Sequence, residues 1–220
     1  MASENAELEL NKRVQVSFSN HIWQVDRTVF DSHSSEESTL PSLVLAIVAD
    51  LHAQTIVGYH IAAKEPSKVA IAALIHAVAR KNYSSRYGSS DLWTTGDSPQ
   101  FLLTDIGSEL TNNSTSLAHF FETRKIQPLT LEVGRGLSFT GSTERMLQSL
   151  SVNLLKHQSV SRRANFPSQP IPLKYEELKD LLEGNIFQHN HSIYPRDRSR
   201  TRHQVWLSGL HDNSKQGDKG

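Results

Sequence analysis

The stretch Trp23-Gln-Val-Asp-Arg-Thr28 decides how the chain is read. Apolar and polar residues alternate through it, with Trp23, Val25 and Val29 on one side and Gln24, Asp26 and Thr28 on the other. Period two is the mark of a strand whose faces meet different surroundings. Asp is a poor strand former, and a buried carboxylate without a partner is costly. Taken alone, Asp26 reads as an edge-strand residue facing water. Two later carboxylates change that reading. Asp105 closes the apolar run Phe101-Leu-Leu-Thr104, and Glu144 follows a glycine-rich loop at the start of a helical pattern.

The chain has 220 residues, which suits one domain with tails. It carries 23 basic and 23 acidic residues, so net charge names no partner. A nucleic-acid binder with this balance needs its basic residues clustered and its acidic ones gathered at a site. The absence of cysteine excludes disulfides, zinc–thiolate sites and thiol catalysis, and fits a reducing compartment. No apolar run approaches membrane-spanning length, and the N-terminus has no signal-peptide pattern. Residues 1–20 read as a polar leader, 21–160 as the body and 161–206 as a C-terminal helix with a basic extension. Residues 207–220 read as a disordered tail.

Strands are expected over 21–30, 43–49, 55–62, 100–104 and 126–131. The second is nearly continuous in apolar residues, as a strand buried on both faces should be. Pro66-Ser67 opens a helix, with Ser67 as its cap and Ile71, Leu74, Ile75 and Val78 as its buried stripe. Residues 82–99 read as a long connection. A second helix over 113–123 turns Leu117, Phe120 and Phe121 inward. Ser142 caps a third, lined by Leu147, Leu150 and Leu154, with Glu144 in its first turn. Tyr175, Leu178, Leu181, Leu182 and Ile186 mark a last amphipathic helix. Three opening strands followed by alternation predict an α/β fold: a ribonuclease H-like mixed five-stranded sheet flanked by helices. In that order the first and fourth strands are adjacent, so Asp26 and Asp105 become neighbours.

Four motifs carry a family likeness: Trp23-Gln-Val-Asp-Arg-Thr28, Ile56-Val-Gly58, Leu103-Thr-Asp-Ile-Gly-Ser-Glu109 and Gly141-Ser-Thr-Glu-Arg145. Together they resemble the catalytic core of DDE transposases and retroviral-type integrases, most closely the bacterial Mu, TnsB and TniA group. The resemblance runs from about Ile22 to Trp206 and includes the His-rich stretch Phe187-Gln-His-Asn-His-Ser-Ile-Tyr194. It implies that Asp26, Asp105 and Glu144 are the catalytic carboxylates and hold two Mg²⁺ (or Mn²⁺) ions. Asp26 would bridge the ions, Asp105 would serve one and Glu144 the other. Arg145, beside Glu144, would contact DNA.

The implied activity is metal-dependent cleavage of transposon-end DNA, then transfer of its 3′-hydroxyl into target DNA. Other transposase protomers and an ATPase regulator are the implied protein partners. The implied setting is the bacterial cytoplasm, at the nucleoid. The chain departs from the family pattern at Ile106, where Asn is usual, at Thr140, where Lys is frequent, and at Ala53-Gln54, where Ser-Arg is usual. A nuclease that cuts without joining, and a catalytically silent subunit that binds DNA or partner proteins, therefore stay open as alternatives.

Other motifs compete with these. Gly136-Leu-Ser-Phe-Thr-Gly141-Ser-Thr143 mimics a phosphate-binding loop, but Ser142 stands where a lysine is required. His189-Asn-His191 has no third ligand at a diagnostic spacing and reads as surface or capping histidines. Asp50 ends a strand and reads as a turn residue rather than a member of the acidic cluster. Arg196, Arg198, Arg200 and Arg202 alternate with other residues, so an extended segment would present them to successive phosphates. A solvated arm is an equal alternative for them.

Overall fold

The computed structural model describes residues 16–30, 43–63, 65–82, 92–94, 97–104, 115–130, 143, 145–150, 152 and 175–216. Strands β1 (Ile22–Phe30), β2 (Leu43–Asp50) and β3 (Thr55–Ala62) form an antiparallel run. Helix α1 (Pro66–Val78) and a small hairpin, β4 (Lys81–Asn82) with β5 (Leu92–Thr94), follow. Strand β6 (Phe101–Thr104) then returns beside β1 and parallel to it. Helix α2 (Thr115–Arg124) leads to β7 (Gln127–Thr130), which pairs in parallel with β6. The main sheet therefore has the order β3-β2-β1-β6-β7, the five-stranded mixed sheet expected from the sequence. Residues 143, 145–150 and 152 are helical and are called α3 here. Helix α4 (Tyr175–Asn190), the hairpin β8 (Ile193–Tyr194) with β9 (Asp197–Thr201), and helix α5 (Arg202–Gln216) complete the chain.

Alternation along the strands separates two apolar layers. On one face Trp23, Val25, Val44, Ala46, Val48 and Val57 pack with α1 and with Val205 and Trp206 of α5. On the other face Leu45, Ile47, Ala49, Ile56 and Ile61 pack with Met146, Leu147 and Leu150 of α3 and Leu178, Leu182 and Ile186 of α4. Every residue of β2 from Val44 to Asp50 is buried, because helices cover both of its faces and a strand lies on each side.

Helix α1 buries Leu74 and Val78 and packs Ile71 against the core as expected, but its inward face is shifted toward the alanines and leaves out Ile75. Val69, Ala70, Ala73, Leu74, Ala77 and Val78 are buried, whereas Ile75 is 54% exposed. Gly58 of β3 explains the choice. A Cβ there would lie 2.5 Å from Ala77 Cβ and 2.7 Å from Ala73 O, so helix and strand touch backbone to backbone. Only the alanine side of α1 is thin enough for that approach. Ser67 is inside the helix rather than its cap; Glu65 holds the cap position, without a side-chain hydrogen bond, and Pro66 supplies the preset first turn. Beyond the helix end, Lys81 Nζ donates to the carbonyls of His76, Ala77 and Ala79 at 2.5, 3.2 and 3.2 Å. Burial pushes this ammonium down to about 7.

Helix α2 stops in a tight C-terminal turn. Ile126 N donates to Phe121 O at 2.9 Å and Lys125 N to Glu122 O at 3.1 Å, with Lys125 at φ 54°. The buried Ile126 then starts the path into β7.

Three segments depart from the sequence reading. The connection over 82–99 contains β5, whose Trp93 is buried and donates Nε1–H to Ile56 O at 2.8 Å. The tail expected to be disordered from residue 207 is helical through Gln216. Val205 and Trp206 are buried, Leu210 packs against the same core, and Gly209 lets the helix lie directly on Ser19. The arginine-rich segment, read either as an extended phosphate-contacting stretch or as a solvated arm, is folded as strand β9, paired with β8. Among the described residues no helix is long and apolar enough to cross a membrane.

Gly58→Ala should destabilise the fold by about 2 kcal/mol or more, because the new methyl meets backbone that cannot give way. A urea midpoint equal to wild type would show that α1 can withdraw from β3 at little cost.

Candidate active site

Asp26 stands in the middle of β1, half-buried, opposite the fully buried Ile47 of β2. Its Oδ1 accepts a hydrogen bond from the Arg27 amide at 2.8 Å. Parallel pairing of β1 with β6 runs from Ile22↔Phe101 to Val25↔Thr104. The next residues in sequence are Asp26 and Asp105. The neighbouring parallel strands expected for these two carboxylates are therefore present, up to the residue before each.

Asp105 and Glu144 lie outside the described residues, as do Ile106, Thr140 and the glycine loop over 134–141. Both neighbours of Glu144 are described. Arg145 is helical and exposed. Thr143 is helical, fully buried, and donates its hydroxyl to Gln24 Oε1 at 2.9 Å. Gln24 is itself only 6% exposed and stands two residues before Asp26, on the same face of β1. Its cross-strand partner Ala49, like Ile47 opposite Asp26, belongs to the layer covered by α3 and α4. A single buried hydrogen bond thus ties the residue before Glu144 to the strand and face that carry Asp26. The sequence reading missed both partners. Period two had put Gln24 beside Asp26, but nothing in the sequence said which helix covers that face.

The other candidates have separate places. Asp50 is fully buried at the end of β2. Its Oδ2 accepts from Asn20 N at 2.7 Å and its Oδ1 from Ala53 N at 2.9 Å. It pins the β2–β3 turn to the residue that leads into β1, and Asn20 takes φ 65° to allow this. Trp23, opposite Asp50 across the strand pair, donates Nε1–H to Asn20 Oδ1 at 3.0 Å. Burial pushes the Asp50 carboxyl up to about 6, against the pull of the backbone donors. This is the turn role expected for it.

In the histidine stretch, His189 Nε2–H donates to Gln54 O at 2.9 Å and His191 Nδ1–H to Phe187 O at 3.0 Å. Burial lowers His189 to about 4, and the Arg202 charge adds to this. Asn190 between them is fully buried; it accepts from Ile56 N and donates to Ile56 O, each at 2.9 Å. The stretch docks α4 on β3. Among the described residues no group of three His, Asp or Glu could hold a metal ion.

The four arginines divide. Arg196, in the β8–β9 turn, and Arg198 are exposed. Arg200 is also exposed, but its Nε donates to Asp197 Oδ2 at 2.6 Å and its Nη1 to Ser208 Oγ at 3.1 Å. Arg202 is half-buried at the start of α5, bonded through Nη1 to Ser192 Oγ and to Ile193 O. A groove of about 420 Å³ along α2 and the start of β7, lined by Phe121, Glu122, Lys125 and Ile126 among others, contains none of the candidate residues.

Sheet order, mixed pairing and the helical layers define the ribonuclease H-like fold of integrase catalytic cores. Solved structures agree. The chain aligns over 87% of its length with a chain of the simian T-cell lymphotropic virus intasome in complex with PP2A regulatory subunit B56 gamma, at TM-score 0.59 and 21% identity. It spans 56% of that chain, a little over half. Against the HTLV-2 integrase catalytic core domain in complex with magnesium, in dimeric form, the TM-score is 0.54 at 18% identity, covering 87% of this chain and 97% of the other. Against the BIV integrase catalytic core domain it is 0.55 at 12% identity, covering 89% and 99%. A search of curated protein sequences finds no match. The TnsB C-terminal domain family model matches residues 24–159, more than half of the chain. The chain belongs to that family and is a transposase/integrase-type protein of the TnsB kind. The matched stretch contains Asp26, Asp105, Glu144 and Arg145, and ends before the arginines of the C-terminal hairpin.

The raised carboxyl of Asp50 gives a pH prediction. Its folded value, about 6, lies above the ordinary 3.8, so its contribution to stability is full below about 3.8 and is lost as pH rises through about 6. The stability at pH 4 minus that at pH 7 should be more positive in wild type than in Asp50→Asn, by up to ~3 kcal/mol. Urea melts at the two pH values measure this, and equal differences would mean that Asp50 titrates as an ordinary carboxylate.

Proposed function

We propose that this chain is the catalytic core of a DNA transposase, a polynucleotidyl transferase that cleaves transposon-end DNA and transfers the resulting 3′-hydroxyl into target DNA. The observation that carries the reading is the convergence around Asp26. The described β1–β6 pairing runs to Val25↔Thr104, the residues before Asp26 and Asp105, and Thr143, next to Glu144 in sequence, is bonded to the same face of β1. Three carboxylates of this kind are hard oxygen donors, the set that suits Mg²⁺ or Mn²⁺. Two such ions, with Asp26 serving both, Asp105 one and Glu144 the other, would activate the attacking oxygen and stabilise the leaving one. The half-exposure of Asp26 fits a ligand that must also meet substrate.

The residues divide the remaining work. The Arg27 amide, bonded to Oδ1, orients the Asp26 carboxylate. Arg145 follows Glu144 in sequence and is exposed, which supports a contact with a DNA phosphate. Arg196 and Arg198 are the members of the basic hairpin that extend phosphate contact beyond the site. Arg200 is held by Asp197, and Arg202 serves the junction between β8 and α5. The DNA partners are transposon ends and target, and the protein partners are further protomers and an ATPase regulator, in the bacterial cytoplasm at the nucleoid.

Plasmid nicking in millimolar Mn²⁺ tests the reading, run beside thermal melts with and without the metal. Asp26→Asn should lose the metal-induced rise in melting temperature. It should also cut nicking by roughly a thousandfold, the rate equivalent of several kcal/mol of lost charge stabilisation. Glu144→Gln should likewise abolish nicking. Equal shifts and equal nicking in wild type and Asp26→Asn would replace this reading with a silent DNA- or partner-binding subunit. Nicking without joined products on donor-end DNA would leave a nuclease.

The hairpin gives a separate measurement. Arg196→Ala with Arg198→Ala should weaken DNA binding and reduce the slope of log affinity against log salt by about one per lost phosphate contact. An unchanged slope would assign these arginines to solubility alone.

A further inference from the structure

We infer that the β8–β9 hairpin is a second nucleic-acid surface, which grips a length of DNA backbone other than the one at Asp26. Its separation from Asp26 as a DNA site rests on the proposed function; the hairpin's own capacity to bind does not. In a chain whose basic and acidic residues balance, residues 193–202 hold four arginines, no lysine and one aspartate. That aspartate is engaged within the hairpin. Asp197 Oδ1 accepts from Ser199 N at 3.1 Å and from Ser199 Oγ at 2.6 Å, and Oδ2 accepts from Arg200 Nε at 2.6 Å. Arg196 and Arg198 are exposed, and among the described residues no acid pairs with either. A planar guanidinium fork matches two phosphate oxygens at once, which a lysine ammonium does not. An all-arginine hairpin therefore suits phosphate better than it suits general solubility.

The two arginines stand on a braced support. Tyr194 is buried and donates its hydroxyl to His52 O at 2.9 Å. Arg202 closes the base of the hairpin, N donating to Ser192 O at 3.1 Å and Nη1 to Ile193 O at 3.0 Å. Arg200 Nη1 reaches Ser208 Oγ of α5 at 3.1 Å. Side chains presented from such a support lose less freedom on binding than those of a loose arm.

The same support fixes where the surface lies. Tyr194, Val205 and Trp206 pack in the layer of Trp23 and Val25. Asp26 faces the other layer, opposite Ile47. The anchor of the hairpin, His52, lies just after Asp50, and Asp50 pairs with Trp23, three residues before Asp26. Three residues of strand measure about 10 Å. The hairpin is thus held on the far face of the sheet and toward its other end. Duplex DNA is stiff over about 150 base pairs, so a duplex lying against Asp26 does not turn round the sheet to meet Arg196 and Arg198. The phosphates they take belong to another length of DNA.

The test counts duplexes per chain. The 220-residue chain is titrated with a labelled duplex of about 15 base pairs, short against the stiffness of DNA, with and without millimolar Mn²⁺. Sedimentation gives the stoichiometry. Wild type should bind one duplex without metal and a second in Mn²⁺. Arg196→Ala with Arg198→Ala should weaken the metal-independent site about a hundredfold, about tenfold for each charged hydrogen bond removed. It should melt as wild type does, because both side chains are exposed. Asp26→Asn should lose the metal-dependent duplex and keep the other. A single duplex per chain in wild type, weakened alike by either variant, would overturn the inference, since the hairpin and Asp26 would then hold one duplex. Failure of wild type to bind at low salt would overturn it too. So would wild-type binding by the arginine variant, which would leave the hairpin to an acidic protein segment or to solubility. If Asp26→Asn binds as wild type does at every Mn²⁺ concentration while the arginine variant loses its duplex, the hairpin stands as a nucleic-acid surface and the proposed function fails.

Discussion

Strand β1 must satisfy two neighbours of opposite sense, and the rest of the structure follows from that constraint. An antiparallel partner can be reached by a short turn, and β2 and β3 are reached so. A parallel partner cannot; the chain has to leave the sheet, cross a face and re-enter. Helix α1 is that crossing, and it is held so closely that Gly58 touches Ala73 and Ala77. The crossing returns the chain as β6 beside β1, in a register that pairs Ile22 with Phe101 and Val25 with Thr104. Residues far apart in sequence are thereby placed at one level of the sheet. The register does this, and no local feature of either acidic segment could.

Much of this was legible because the signals were local and repeated. Period two in β1, the continuous apolar run of β2 and the helical spacing from Tyr175 onward each name an element without help from the rest of the chain. The inward face of α1 was not legible in the same way. Ile71, Leu74, Ile75 and Val78 form the more apolar stripe, yet Ile75 is exposed. The decision was made at Gly58, on another element, where close approach favoured alanine over isoleucine. Trp93 was hidden for a related reason. Its short strand lies in a polar stretch, and its stabilising bond is to Ile56 O, which the sequence cannot display.

The candidate site shows the same division. Asp26 was marked by its own surroundings, since a carboxylate in an alternating strand is conspicuous. Gln24 and Thr143 were not, because each is unremarkable until the other is seen at 2.9 Å. The arginine alternation was visible, but Asp197, lying in the same strand, takes Arg200 for itself. Arg202 is turned toward Ser192 and Ile193 by the hairpin that precedes it. Charge spacing describes what an extended chain could present. Folding decides how much of it is spent internally.

Asn190 has a consequence beyond docking α4. Strand β3 is an outer strand of the main sheet, and an outer strand offers a row of main-chain donors and acceptors on which another chain can template. At Ile56 both groups are taken by one side-chain amide, which imitates the edge of a neighbouring strand while being unable to propagate one. Three residues on, Tyr59 N donates to His76 Nδ1 at 3.1 Å, so a ring nitrogen of α1 takes a further main-chain donor. Copies of this protein are thereby discouraged from joining sheet to sheet along β3. Any contact between copies is thereby left to other surfaces, and the fold is kept from polymerising along its own edge.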